Sequence, residues 1–96
     1  PVEVTARALA HVESASAWWA KHRPAAPDAL RRDFADATGL LALQPGIGAR
    51  CSSPRYPNLR RLYLSRVRYH LYYEVRAGKV IVLAFWHARR GTSPAL

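Results

Sequence analysis

Two histidines and a group of arginines are the residues of this chain best suited to chemistry. His70 and His87 titrate near neutrality and can take or give a proton. Arg61, Arg68, Arg89 and Arg90 can hold a phosphate or another anion. Spacing places no carboxylate beside either histidine, so a structural role is the default for both. Pro45-Gly46-Ile47-Gly48 lacks the spacing and the lysine of a phosphate-binding loop, and metal-ligand spacing is absent. The single cysteine, Cys51, excludes an intramolecular disulfide and a cysteine-based zinc site. No cofactor is expected.

The net charge of +9 is unevenly distributed along the 96 residues. Up to Pro45 the five cations are matched by five carboxylates, whereas from Gly46 onward ten cations face Glu74 alone. Crowded like charges repel, so the excess predicts one exposed basic surface that a negative macromolecule covers. Nucleic acid and an acidic polypeptide both fit. Lipid headgroups fit less well, because no amphipathic basic helix accompanies the charge. No signal-peptide pattern occurs, and no apolar run approaches the ~18 residues of a spanning helix, so a cytoplasmic protein with no membrane partner is expected. A sequence that opens on Pro1 is expected to lack residues of its natural start.

The elements that must position these residues follow from periodicity. Val67 to Arg76 alternates apolar and polar, the period of a half-buried strand. Val80 to Trp86 is an unbroken β-branched and aromatic run, as in a strand covered on much of both faces. Leu59 to Leu64 reads as a third strand, with Ser65-Arg66 and Ala77-Gly78 as turns. Upstream, Val2 to Thr5 reads as a short strand, with Thr5 capping a helix over Ala6 to His22. That helix has a stripe of Leu9, Val12, Ala15 or Ser16, and Trp19. Ala26-Pro27-Asp28 opens a second helix with the stripe Leu30, Phe34, Ala37 and Leu41. Gly39 weakens it by about 1 kcal/mol relative to Ala, and Gln44-Pro45-Gly46 is the stronger stop. Gly46 to Asn58 reads as a loop, and the stretch beyond His87 as too poor in apolar residues for another buried element.

This is an α+β pattern over one domain, residues 1–96, in the order β-α-α-β-β-β, with two helices on one face of a mainly antiparallel sheet. A two-residue hairpin at Ser65-Arg66 would set Arg61 opposite His70 and Tyr63 opposite Arg68. Arg61, Tyr63, Arg68, His70 and Tyr72 then share the uncovered face, while Leu62, Leu64, Val67, Tyr69, Leu71 and Tyr73 meet the helices. Cations among aromatics suit phosphate contacts with base stacking, and equally docking to an acidic protein. The pairing of the last strand stays open: a two-residue turn sets His87 opposite Arg68, and a glycine bulge shifts it by one. Trp18 and Trp19 lie about 100° apart around the helix, which leaves one of them for a partner.

The order of elements resembles the RelE/ParE toxin superfamily of bacterial type II toxin-antitoxin systems over nearly the whole chain. Pro45-Gly46-Ile47-Gly48, Arg61-Leu62-Tyr63-Leu64, Tyr69-His70-Leu71-Tyr72-Tyr73-Glu74-Val75 and His87-Ala88-Arg89-Arg90 carry the likeness. The resemblance implies a toxin neutralised by an acidic antitoxin, for which Trp18, Trp19, Arg60 and Arg68 are the candidate contacts. Two activities occur in the superfamily. RelE-like members are similar to endonucleases that cut mRNA on the ribosome, a role for which Arg61, His70, His87 and Arg90 are the candidates here. ParE-like members bind and poison DNA gyrase without being enzymes in that role, and Arg61, Arg68, His87, Arg89 and Arg90, with the tail Ala88 to Leu96, are the candidate contacts. His70 stands where the ribonuclease branch commonly has arginine, and no tyrosine follows Arg90. Both departures weaken the match to a ribonuclease site, and the His87-Ala88-Arg89-Arg90 ending resembles the ParE-like sequences.

Overall fold

The computed structural model describes residues 1–96. Its elements are β1 (Val2–Val4), α1 (Ala6–His22), α2 (Ala29–Leu43), β2 (Ala49–Arg50), β3 (Arg60–Leu64), β4 (Tyr69–Arg76) and β5 (Lys79–His87). The five strands form one sheet in the order β1-β5-β4-β3-β2, antiparallel except for β1, which runs parallel to β5. Both helices pack on one face, α1 against β5 and α2 against β3. This is the expected α+β arrangement with one further strand, the two-residue β2 inside the stretch read as a loop. No helix is long and apolar enough to cross a membrane.

Thr5 caps α1 as its sequence predicts, its hydroxyl accepting from the Ala8 N–H at 3.1 Å. The buried stripe of α1 is Ala8, Val12, Ala15 and Ser16 rather than the one beginning at Leu9, which is half exposed. Small residues let the helix lie close on β5. α2 begins at Ala29, three residues later than Ala26, and runs past Gly39 to Leu43. Its Leu30, Ala37 and Leu41 are buried, and Phe34 packs edge-on to Phe85 at 5.3 Å. Leu30, Leu41, Leu71, Tyr73 and Val82 are the largest fully buried side chains between helices and sheet. Truncating one such leucine to alanine typically costs about 2–5 kcal/mol.

The β3–β4 pairing differs from expectation, and the β4–β5 pairing combines the two open alternatives. The β3–β4 connection takes the four residues Ser65 to Arg68 rather than two, so Arg61 faces Tyr72 and Tyr63 faces His70. A shift of two residues preserves the faces, because side chains alternate with period two. Val67 is buried from within the turn, and Arg68 adopts a left-handed φ of 63° there. At the next turn, Ala77 (φ 50°) and Gly78 (φ 76°) form a tight two-residue connection with Arg76 opposite Lys79. The register then slips by one at a bulge between Tyr72 and Tyr73, which leaves Leu83 without a partner and sets His87 opposite Tyr69. The bulge lets Val80, Val82 and Phe85 all reach the helix side.

The opposite face of the sheet is not bare. Leu59, Tyr72, Leu83 and Ala84 form a second buried cluster, flanked by Cys51, Tyr56, Ile81, Trp86 and Leu96. The loop after β2 and the tail after β5 supply its cover, the tail forming no further helix or strand but laying Leu96 against the cluster. Trp86 donates its indole N–H to Thr92 O at 3.0 Å, and Arg7 reaches from α1 to Ala95 O at 2.8 Å.

Candidate functional site

The arginines after Gly46 do not share one surface, contrary to the expectation from charge. Arg66 is paired with Asp33, Arg76 with Glu74 and Lys79 with Glu3. Arg60 turns to the helix side and donates to Gly46 O at 3.1 Å and Gly48 O at 2.7 Å, a structural task. Arg61 lines a cleft of about 280 Å³ with Arg50 and Tyr72, between the sheet and Pro94 and Leu96 of the tail. Alternation along a strand assigns faces but says nothing about which cations find carboxylates from other elements.

A different group does converge. The end of α1, the β3–β4 turn and the end of β5 meet at one end of the molecule, where Trp18, Trp19, Arg23, Arg66, Arg68, Tyr69, His87 and Arg89 line a cleft of about 320 Å³. No carboxylate lines it. Arg23, Arg68 and Arg89 take part in none of the molecule's ion pairs. Arg68 is held by its own N–H on Leu64 O at 2.7 Å and by the Ala88 N–H on its carbonyl at 2.9 Å. His87 packs edge-on to Tyr69 at 5.0 Å, and its Nδ1 accepts the Arg89 N–H at 3.1 Å, which fixes the start of the tail.

The two tryptophans separate in role. Trp19 is half-buried against the main core, and its indole N–H donates to Ala26 O at 2.9 Å, tying the α1–α2 connection to the helix. Trp18 is 46% exposed. One face of it stacks on His22 at 4.3 Å and 15°, and Arg23 stands 5.8 Å from its ring and 5.7 Å from that of Trp19. Arg23 and His22 were invisible as site residues in the sequence. The only signal was their position in and just after the last turn of α1, where cations satisfy the terminal carbonyls.

A second cleft adjoins the first and shares Trp18, Tyr69 and His87 with it, adding His11, Trp86 and Arg90. Arg90 lies 4.0 Å over the Trp86 ring. His11 Nδ1 accepts the Phe85 N–H at 3.1 Å, so a helix side chain closes the edge of β5 that β1 leaves open. Burial, then Arg7 and Arg90, hold the His11 pKa below its ordinary value and keep the ring neutral, as an acceptor must be. Burial raises the Tyr69 hydroxyl, with Arg90 opposing.

The four residues expected of a ribonuclease are divided between the two faces of the sheet. His87 follows the helix side, beside Tyr69, while His70 lies on the other, opposite Trp86 and next to Tyr63. Burial, then Arg61, lower the His70 pKa, and its Nδ1 is buried without a hydrogen-bond partner. Arg61 and Arg90 line separate clefts. Trp18, Trp19, Arg68, His87, Arg89 and Arg90 are thus brought together at one end, and Arg60, Arg61 and His70 are not.

The model of the family described as ParE toxin of type II toxin-antitoxin system, parDE, matches residues 2–91. The chain belongs to the ParE toxin family. Among solved structures, this ParE chain is similar to one described as the chromosomal ParDE TA system from P. aeruginosa. The TM-score is 0.65 at 16% identity, over 92% of this chain and 95% of that one, a likeness of fold. No curated protein matches the chain. The ParE match spans both helices, all five strands and the arginines that follow His87.

Proposed function

We propose that this ParE-family chain inhibits growth by binding DNA gyrase in the cytoplasm, and that a cognate acidic antitoxin neutralises it. The observation that carries this reading is the carboxylate-free cleft of Trp18, Arg68, His87 and Arg89, with three guanidiniums outside every ion pair. Exposed arginine and tryptophan are the residue types that dominate protein interfaces once desolvated. In this reading the chain is not an enzyme and needs no cofactor. Arg68, His87 and Arg89 contact the target, joined by Arg90 on Trp86. Trp18 and Arg68 are the antitoxin's natural anchors, and the cationic cleft favours its acidic residues. Arg60 and Trp19 serve the fold and contribute indirectly, and Arg61, beside the tail, is a peripheral target contact.

The alternative, a RelE-like ribosome-dependent mRNA endonuclease, draws support from the low-pKa His70 beside Arg61. It is the weaker reading, since a general acid and base must flank one scissile phosphate and His70 and His87 lie on opposite faces. The test is to titrate the purified protein into gyrase supercoiling and DNA-cleavage assays, and in parallel into a translation mixture whose mRNA is followed. Inhibition of gyrase that Arg68→Ala and Arg89→Ala abolish, with message intact, is the expected result. Cut message with gyrase unaffected would reverse the ranking.

A further inference from the structure

The carboxylate-free cleft has features that a protein target does not require. All four of its cations, Arg23, Arg66, Arg68 and Arg89, are arginines, whose planar fork suits phosphate and stacks on rings. Three of them, Arg23 after α1, Arg68 in the β3–β4 turn and Arg89 after β5, lack acidic partners. Arg68 is exposed and held at a left-handed φ of 63°, a conformation that asparagine or glycine adopts at lower cost, yet the position carries a guanidinium. At the rim, His22 and Trp18 already form a two-layer stack at 4.3 Å and 15°, with Trp18 46% exposed.

We propose that this cleft binds a DNA strand, the arginines taking the phosphodiester backbone and the exposed part of the Trp18 ring stacking an unpaired base. The proposal rests on the gyrase reading, since a protein docked on gyrase lies beside the DNA that gyrase holds. A planar base extends the His22–Trp18 stack by a further layer. The negative end of α1 opposes a phosphate here. It amounts to about half a charge, and Lys21 and Arg23 offset it, Arg23 donating to His22 O at 3.1 Å. Arg68 and Arg89, whose guanidiniums enter no ion pair, outweigh that remainder.

The experiment measures binding of the purified protein to a fluorescein-labelled oligothymidylate across a salt series, with poly-glutamate of matched charge as competitor. Neutralising about three phosphates predicts a log-log salt slope of about −2 for a single strand. Arg68→Glu/Arg89→Glu is expected to weaken binding roughly tenfold or more, and Trp18→Ala roughly tenfold through lost stacking. Arg32→Glu/Arg55→Glu, with the same net charge but changed away from the cleft, is expected to bind as wild type. Melting temperatures of all variants verify that they fold. Equal loss in both double variants, or displacement by poly-glutamate as readily as by unlabelled oligonucleotide, would overturn the proposal. A protein that inhibits gyrase but does not bind the oligonucleotide sinks this inference and leaves the gyrase reading standing. One that binds through the cleft and leaves gyrase untouched does the reverse.

Discussion

Tyr73 and Gly48 are locked together, 25 residues apart in sequence: the Gly48 N–H donates to the buried Tyr73 hydroxyl at 2.8 Å, and that hydroxyl donates to Pro45 O at 2.8 Å. A β-carbon at Gly48 would lie 2.6 Å from the hydroxyl and 2.9 Å from Arg61 O, so no side chain fits. Burial raises the Tyr73 pKa, against the pull of the Gly48 N–H and Arg60. Tyr73→Phe leaves a buried N–H unpaired and is expected to cost about 1–3 kcal/mol, and Gly48→Ala about 1–3 kcal/mol from overpacking. Removing the hydroxyl also removes part of the clash, so the double variant should lose less than the sum of the two. Urea denaturation of all four proteins measures the coupling, and strict additivity would contradict the geometry.

Ala77 occupies a left-handed position that its β-carbon disfavours. With Ala77 at φ 50° and Gly78 at φ 76°, the hairpin has positive φ at both central residues, the arrangement for which Asn-Gly is preferred. Ala77→Asn is therefore expected to stabilise the protein by about 0.5–1 kcal/mol. Gly78→Ala, which puts a second β-carbon in that region, should destabilise it by a similar amount. A lower urea midpoint for Ala77→Asn would show that the turn is not under this strain.

His11 makes stability depend on pH. Its folded-state pKa is depressed below 6.5 by burial and by the nearby Arg7 and Arg90, and its Nδ1 must stay unprotonated to accept the Phe85 N–H. Below about pH 6.5 the unfolded chain therefore binds more protons than the folded one. The contribution is fully present above that pH and is lost as pH falls toward the folded value. His70 shifts the same way, through burial and Arg61. Thermal midpoints from about pH 7.5 down to about pH 5.5 should fall more steeply for wild type than for His11→Asn. Parallel slopes would mean that His11 stays neutral in both states or charges without penalty.

Which residues face the helices was legible in the sequence, because period-two alternation survives an error of two in register. The register itself was not. Arg68 at positive φ looks like a strand residue in a run that alternates through Val67, and only the four-residue turn moves it out of the sheet. Leu83 gives no sign of a bulge, since any residue of an apolar run can be the unpaired one. The cover over Leu59 and Tyr72 comes from Tyr56 and Leu96, single residues in polar stretches, and so was read as absent. The site was half legible for the same reason. His87, Arg89 and Arg68 stood out by type, whereas Arg23 and His11 acquire their roles only through contacts with Trp18, Trp19 and Phe85.

Adjacent tryptophans should give opposite phenotypes. Trp19 packs on the core and holds Ala26 O through its indole, so Trp19→Ala removes buried area and a hydrogen bond together and is expected to cost about 3–5 kcal/mol of stability. Trp18 contributes little to the core: it is 46% exposed and meets His22 and Arg23, themselves exposed. Trp18→Ala should leave the urea midpoint near that of wild type. In the proposed antitoxin complex the same ring is an anchor, and its removal should weaken binding by about 2 kcal/mol or more, roughly 30-fold. The dissociation constant of the antitoxin peptide, measured beside the unfolding midpoint for both variants, separates the two roles. Trp18→Ala that unfolds the chain, or binds antitoxin as tightly as wild type, would move the anchor elsewhere on the surface, and the exposed Leu9 on the same helix is the next residue to test.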